Sequence, residues 1–355
     1  MSDPSLSDPS VITCPIKTES TAQRVVLAHG EGAKLARQLI TKLVQPMFDN
    51  PLLAPLSDSA YLPSVDGRLA ISTDSYVVSP LFFPGGDIGS LAVTGTLNDL
   101  AVAGAQPLWL TLSLIIEEGL ELETLQRVLS SAARVAKQAG VAVVAGDTKV
   151  VPHSAADKLF INTTGVGRVY PQIQSDVATL AVGDQLIVSG PIAQHGMAVL
   201  SARESLGLTG DIQSDCGLLY PAVQALAQSG VAVKCMRDAT RGGVAAVLHE
   251  WADSSGLSMV IQQSEIPVLP AVRGMCELLG IDPLFVANEG TMLVAVSAQQ
   301  AQAALKALRA VPISDQARII GGVQPKDISP VSVIRTLGRQ IPLDQPTGAL
   351  LPRIC

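Results

Sequence analysis

The feature that most constrains this chain is an alternation. Segments with the two-residue period of strands and segments with helical period follow one another in two blocks, divided by an unpatterned stretch near residues 170–183. In the first block, a helix over Ala33 to Leu43 precedes a strand over Leu69 to Val78. A helix over Ile88 to Val102, a strand over Trp109 to Ile116 and an amphipathic helix over Glu121 to Gln138 follow. Strand Val141 to Ala145 then runs into an expected turn, Gly146-Asp147-Thr148-Lys149, and strand Leu159 to Val169 closes the block. The second block reads as strands at Gln185 to Ser189 and Val231 to Met236, with further strands near Arg318 and Val331. Its helices are expected at His195 to Leu206, Leu218 to Gln228, Val244 to Ala252, Ala271 to Leu279 and Gln299 to Arg309, with a hairpin around Asn288-Glu289-Gly290.

This pattern predicts an α/β (or α+β) layered architecture in two domains, 25–170 and 180–335. Residues 1–24 read as a disordered leader. Residues 336–355 read as a flexible tail, because Pro342, Pro346 and Gly348 break regular structure. Fully extended, the chain from Arg339 to the terminal Cys355 spans roughly 55 Å. The tail is therefore either a frayed end or a reactive thiol on an arm.

Charged residues make up 15% of the chain, against ~25% in an average domain. Extensive burial is expected. A net charge of −7 with no basic run argues against nucleic acid as a partner. The longest nearly apolar run, Leu108 to Ile116, is too short to span a bilayer, and residues 1–20 carry no signal pattern, so a cytoplasmic protein is expected. The five cysteines, Cys14, Cys216, Cys235, Cys276 and Cys355, are widely spaced, which disfavours a disulfide framework or a structural zinc site.

Four aspartates, Asp74, Asp99, Asp147 and Asp238, sit in polar steps at or beside element ends. Such carboxylates suit Mg²⁺ bridged to phosphates, although any one of them also reads as a helix cap or Asx-turn. Asp99 differs, because it falls inside an apolar helix where an unpaired charge is costly and calls for a partner. Glycine turns at Gly30, Gly32, Gly242 and Gly243 can present N–H groups to phosphate or serve as ordinary tight turns. Lys34 and Arg241 beside them either neutralise phosphate or stand as solvated charges, and His29 adjoins the first turn. No Walker A pattern is present.

Taken together, Gly30-Glu31-Gly32-Ala33, Ser72-Thr73-Asp74-Ser75, Asn98-Asp99-Leu100-Ala101, Ala145-Gly146-Asp147-Thr148 and Asp238-Ala239-Thr240-Arg241-Gly242-Gly243 resemble, in order, the motifs of the PurM-like, or AIR-synthetase-related, ATP-using superfamily. Lys149-Val150-Val151, His195-Gly196-Met197-Ala198 and the end Pro352-Arg353-Ile354-Cys355 are similar within it to the HypE family of carbamoyl dehydratases. Two positions depart from the pattern: Ala33 stands in place of a frequent glycine, and Gln194 in place of an acid.

The resemblance implies a two-domain PurM-like fold whose first domains pair as a homodimer through a β-barrel-like sheet. It implies ATP and Mg²⁺ as cofactors, with Asp74, Asp99, Asp147 and Asp238 as metal carboxylates. Nucleotide contacts are implied for His29, Gly30, Gly32, Lys34, Thr73, Asn98, Gly146, Thr148 and Arg241. Cys355 would carry the reacting group, with Lys149 and Glu289 orienting and deprotonating it. Implied partners are a HypF-type carbamoyltransferase and a HypC–HypD scaffold. Other readings kept open are a selenophosphate synthetase-like enzyme, for which Cys14 and Lys17 copy a spacing, an AIR synthetase-like enzyme, and a docking protein with a peptide tail.

Overall fold

A computed structural model describes residues 24–173, 175–203 and 211–348. The chain opens with a 3₁₀ turn, Leu27–Gly30, and short helices α1 (Lys34–Leu39) and α2 (Gln45–Met47), joined by a π-helical turn. There follow β1 (Leu69–Tyr76), β2 (Phe82–Phe83), β3 (Gly86–Asp87), α3 (Ile88–Val102), β4 (Ala105–Glu117), α4 (Leu122–Ala139), β5 (Ala142–Val151) and β6 (Leu159–Val169). The second half comprises β7 (Gln185–Val188), α5 (Gln194–Arg203), α6 (Tyr220–Gln228), β8 (Val233–Asp238), α7 (Gly243–Ser255), β9 (Ser258–Gln262) and α8 (Pro270–Leu279). It ends with β10 (Met292–Val296), α9 (Ala301–Arg309), β11 (Arg318–Gln324), β12 (Val331–Ile334) and β13 (Gln340–Pro342).

Two large sheets organise most of these elements, while β2 and β3 pair with each other alone. The first has the order β1-β6-β4-β5, with β4 and β5 parallel and the other pairs antiparallel. The second has the order β13-β12-β9-β11-β7-β10-β8, antiparallel except for β12 beside β9. Helices cover both faces of the second sheet: α7 and α8 bury Leu248, Trp251 and Met275 on one side, while α6 and α9 bury Val223, Leu226 and Leu308 on the other. Among the described residues, the first sheet is covered on one face only, by α3 and α4.

The helix α3 joins the two halves. Every residue from Ile88 to Val102 is buried except Asp99. A helix apolar on all sides is stable only when enclosed, and α3 lies between the first sheet, α4, α6 and β8. Its start is fixed by Asp87, whose carboxylate accepts from the N–H groups of Gly89 at 2.8 Å and Ser90 at 3.1 Å. Such a cap contributes about 1 kcal/mol.

Three expectations give way. Gly146-Asp147-Thr148-Lys149 is not a turn but the middle of β5, because ladder pairing with β4 runs unbroken from Gly146 opposite Leu112 to Lys149 opposite Ile115. As an edge strand, β5 leaves its other side to water, where polar residues are tolerated. No hairpin forms at Asn288-Glu289-Gly290; that segment is an irregular lead into β10. Within the stretch read as tail, Gln340–Pro342 pairs with β12, and Leu343 is buried and held by the imidazole of His249 on its carbonyl oxygen at 3.0 Å. Loss of strand period in sequence did not prevent pairing, since β13 is a two-sided edge needing few contacts. Of the leader, residues 1–23 lie outside the described residues, as does Cys355, while Arg24 pairs with Glu121.

Candidate active site

Alternation along β1 turns Ser72, Asp74 and Tyr76 toward α3 and leaves Ile71, Thr73 and Ser75 on the uncovered face. Gly95 of α3 makes room for the Tyr76 hydroxyl, which a side chain there would strike. That hydroxyl donates to Asp74 at 3.3 Å, and Ser72 Oγ donates to Asp99 at 2.6 Å. Asp99 therefore has the partner its apolar setting demanded. Asp238 ends β8, in register with Met292 of β10, and Glu289 stands three residues before Met292, 4% exposed. Four carboxylates from three elements and the lead into β10 thus share one electrostatic environment. A cavity of about 480 Å³ opens beside them, lined by Ser72, Asp99, Arg237, Asp238, Glu250 and Trp251.

The environment holds protons. Burial, then the Asp99 charge, pushes the Asp74 carboxyl up to about 6. Burial, again with Asp99, pushes Asp238 up to about 7. Glu289 rises well above the usual carboxylate range through burial and the charges of Asp238, Asp215 and Asp74. Among the described residues none of these four groups has a salt-bridge partner. Arg241, exposed, only offsets Asp74 from a distance. Excess buried negative charge of this kind must be met by protons or by a cation. No three histidine, cysteine or acid side chains among the described residues converge on one metal position. A bound Mg²⁺ would therefore take one or two carboxylates and complete its shell with water and phosphate oxygens, its usual arrangement.

The raised values carry a stability consequence. An aspartate whose folded pKa lies above its unfolded value of 3.8 binds more protons folded than unfolded, so its contribution falls as pH climbs from about 4 to about 7. Without metal or nucleotide, thermal unfolding at about pH 8 should come several degrees below that at about pH 5. Asp238→Asn should flatten that slope, as scanning calorimetry of both proteins would show.

The remaining candidates form a second group. Lys149 pairs with Asp147 at 3.0 Å and holds its carboxyl below the ordinary range. Together with His29, Gly30, Gly32, Gly146 and Thr148 they line a cavity of about 720 Å³ at the β5 edge. Gly30 packs on the Val150 backbone so closely that no side chain fits. Asp147 is opposite Ser113, on the sheet's uncovered face. Asp74 is opposite Thr163, whose hydroxyl donates to Ala92 of α3 on the covered face. The register Asp74–Thr163–Leu112–Gly146 puts these edges three strand spacings apart, about 14 Å. Within one chain, Asp147 and Lys149 do not meet Asp74, Asp99, Asp238 and Glu289.

Three further candidates are placed elsewhere. Thr73 is on the uncovered face, bonded to Thr163 and Thr164. Lys34 is exposed and does not line the cavity beside Gly32. Asn98 is 1% exposed, and its amide is spent on backbone: it donates to the carbonyls of Gly217 and Glu289, both at 3.0 Å, and accepts from the N–H of Leu219 at 2.8 Å. Sequence reading missed Asp215, whose carboxylate takes the N–H groups of Glu289 and Gly290 and the Thr291 hydroxyl. It lies in an unpatterned loop 74 residues from Glu289, so no local signal marks it.

A four-stranded sheet and a seven-stranded sheet bridged by one buried helix, with aspartates at the junction, define the AIR-synthase-related class. Two family models agree: the N-terminal domain of "AIR synthase related protein" matches residues 57–169 and its C-terminal domain residues 181–333. Carbamoyl dehydratase HypE of Escherichia coli K12 is 47% identical over 336 residues, covering 93% of this chain and 99% of that protein. A crystal structure of HypE in complex with ATP superposes with a TM-score of 0.88 at 41% identity, over 93% of this chain and 99% of that one. HypE from a HypE–HypF complex superposes with a TM-score of 0.76 at 42% identity, over 87% and 99%. The chain belongs to the HypE family of carbamoyl dehydratases.

Proposed function

We propose that this chain dehydrates a carbamoyl group carried on the sulfur of Cys355, turning a thiocarboxamide into a thiocyanate at the expense of ATP, to supply the cyanide ligand for the iron of a [NiFe]-hydrogenase. The observation that carries the reading is the uncompensated carboxylate cluster at the domain junction, in a chain closely similar to a HypE that binds ATP. An amide oxygen is a poor leaving group, so it departs only after activation. Transfer of the γ-phosphoryl to that oxygen gives an imidate phosphate and ADP. Removal of the nitrogen protons then expels phosphate and leaves the nitrile.

One or two of Asp74, Asp99 and Asp238 are suited to hold a Mg²⁺, which would neutralise charge on the transferring phosphoryl. Glu289, with its raised proton affinity, takes a nitrogen proton. Lys149 orients the carboxamide, and Asp147 serves the metal. Because the structure separates these two from Glu289, the reading requires a homodimer. The uncovered sheet face carries Ile71 at 73% exposure, Leu69 at 52% and Ile115 at 42%. Two such faces closing into a barrel would set β1 of one subunit beside β5 of the other, bringing the strand that carries Asp147 and Lys149 next to the strand that carries Asp74.

The tail's base supports delivery. The ring of Pro346 lies 3.6 Å from where a side chain on Gly242 would begin, next to Arg241. From Gly348 the last seven residues can reach about 25 Å. The expected partners are a HypF-type carbamoyltransferase, in keeping with the HypE–HypF complex, and a HypC–HypD scaffold that accepts the cyanide. Intact-mass measurement tests the reading. With the carbamoyl donor enzyme the protein should gain one carbamoyl group, and with Mg–ATP it should then lose one water, both mapped to Cys355. Loss of water without ATP, or an adduct on another residue, sinks it. No helix among the described residues is long and apolar enough to cross a membrane.

A further inference from the structure

The loop Asp211 to Leu219 ties the two halves of the molecule and touches the segment that carries Glu289. Ser214 donates its N–H to the Pro84 carbonyl at 2.8 Å, and its hydroxyl meets His195 Nδ1 at 2.9 Å. The next residue, Asp215, receives the Glu289 N–H at 3.0 Å on one oxygen. Its other oxygen receives the Gly290 N–H at 3.1 Å and the Thr291 hydroxyl at 3.0 Å. Gly290 lies so close over the Asp215 carbonyl that a side chain there would collide. From the other side, Asn98 of α3 donates to the Glu289 carbonyl at 3.0 Å and spends the rest of its amide on Gly217 and Leu219. Glu289 itself has no hydrogen bond to its carboxylate among the described residues. Its position is therefore set by its backbone.

We propose that Asp215 and Asn98 form a clamp that aims the Glu289 carboxyl, so that both are positioning residues for proton removal and Asn98 is not a nucleotide ligand. This rests on the role given to Glu289 above. Two adjacent backbone N–H groups and a hydroxyl on one carboxylate are charge-assisted bonds, stronger than neutral ones. They convert an irregular lead-in, free to move by its nature, into a fixed platform across the domain junction. Proton transfer is sensitive to the placement of the base, so a loose platform slows that step without weakening nucleotide binding.

The test uses the full chain, loaded with carbamoyl on Cys355 by the donor enzyme, and follows water loss in a single turnover after Mg–ATP is added. Asp215→Asn should slow water loss about tenfold to a hundredfold, with ATP affinity within about twofold of the parent. In a Glu289→Gln background the same change should add nothing, because a residue acting only through Glu289 has no further effect once the carboxylate is gone. Amide hydrogen exchange, which needs no activity, should show Glu289 and Gly290 losing protection in Asp215→Ala. Equal slowing in both backgrounds, an unchanged rate, or unchanged exchange overturns the clamp. If the parent chain shows no ATP-driven water loss, the proposed function falls, and the exchange measurement still decides whether the clamp exists.

Discussion

Cys355→Ser is expected to abolish nitrile formation, with none of the cysteines among the described residues taking over as carrier. The physical reason lies with the other sulfurs. Burial pushes the Cys276 thiol up to about 11 and the Cys235 thiol up to about 12. Burial and the neighbouring Glu289 raise Cys216 further. The thiolate is the nucleophile, and at neutral pH these three thiols stay protonated, so none of the described cysteines is suited to accept a carbamoyl group. Serine offers a hydroxyl too weakly acidic to stand in. Intact mass after incubation with donor enzyme and ATP should show an unmodified chain. A normal yield of nitrile from this variant would falsify the carrier role.

Glu289→Gln is expected to slow water loss by about 10²- to 10⁴-fold, the range for removing a positioned general base. Glutamine keeps the volume and the backbone bonds to Asp215 and Asn98, so nucleotide binding and folding should be nearly untouched. The pH profile supplies the second signature. Because burial and four aspartates hold the carboxyl well above its usual range, the parent rate should climb with pH beyond the ordinary carboxylate region as the base loses its proton. In the glutamine variant this limb should vanish. Single-turnover rates across pH check both points, and a variant that keeps the limb removes Glu289 from the step.

Much of the fold could be read directly from residue pattern. The helix over Ile88 to Val102 and the strand over Leu159 to Val169 match to the residue, because β6 alternates along its length and α3, apolar on every side, has clear terminal signals in Asp87 and Gly104. The Gly146–Lys149 segment was misread because glycine and aspartate mark turns locally, whereas an edge strand with nine residues paired to β4 overrides that preference. The hairpin expected at Asn288 failed for the opposite reason: turn-forming residues were present, but the segment's hydrogen bonds go to Asp215 and Asn98 instead of to a neighbouring strand.

By itself the sequence determined the layered two-block architecture and the identity of the acidic residues, since these depend on period, composition and order. Only the tertiary structure decided which acids act together. Sheet register sends Asp74 to the covered face and Asp147 to the open one. A helix buried on every side brings Asp99 to both Asp74 and Asp238. A loop with no local pattern supplies the carboxylate that holds Glu289 in place. Side-chain direction and proton affinity arise from packing between residues distant in the chain, which no local window of sequence contains.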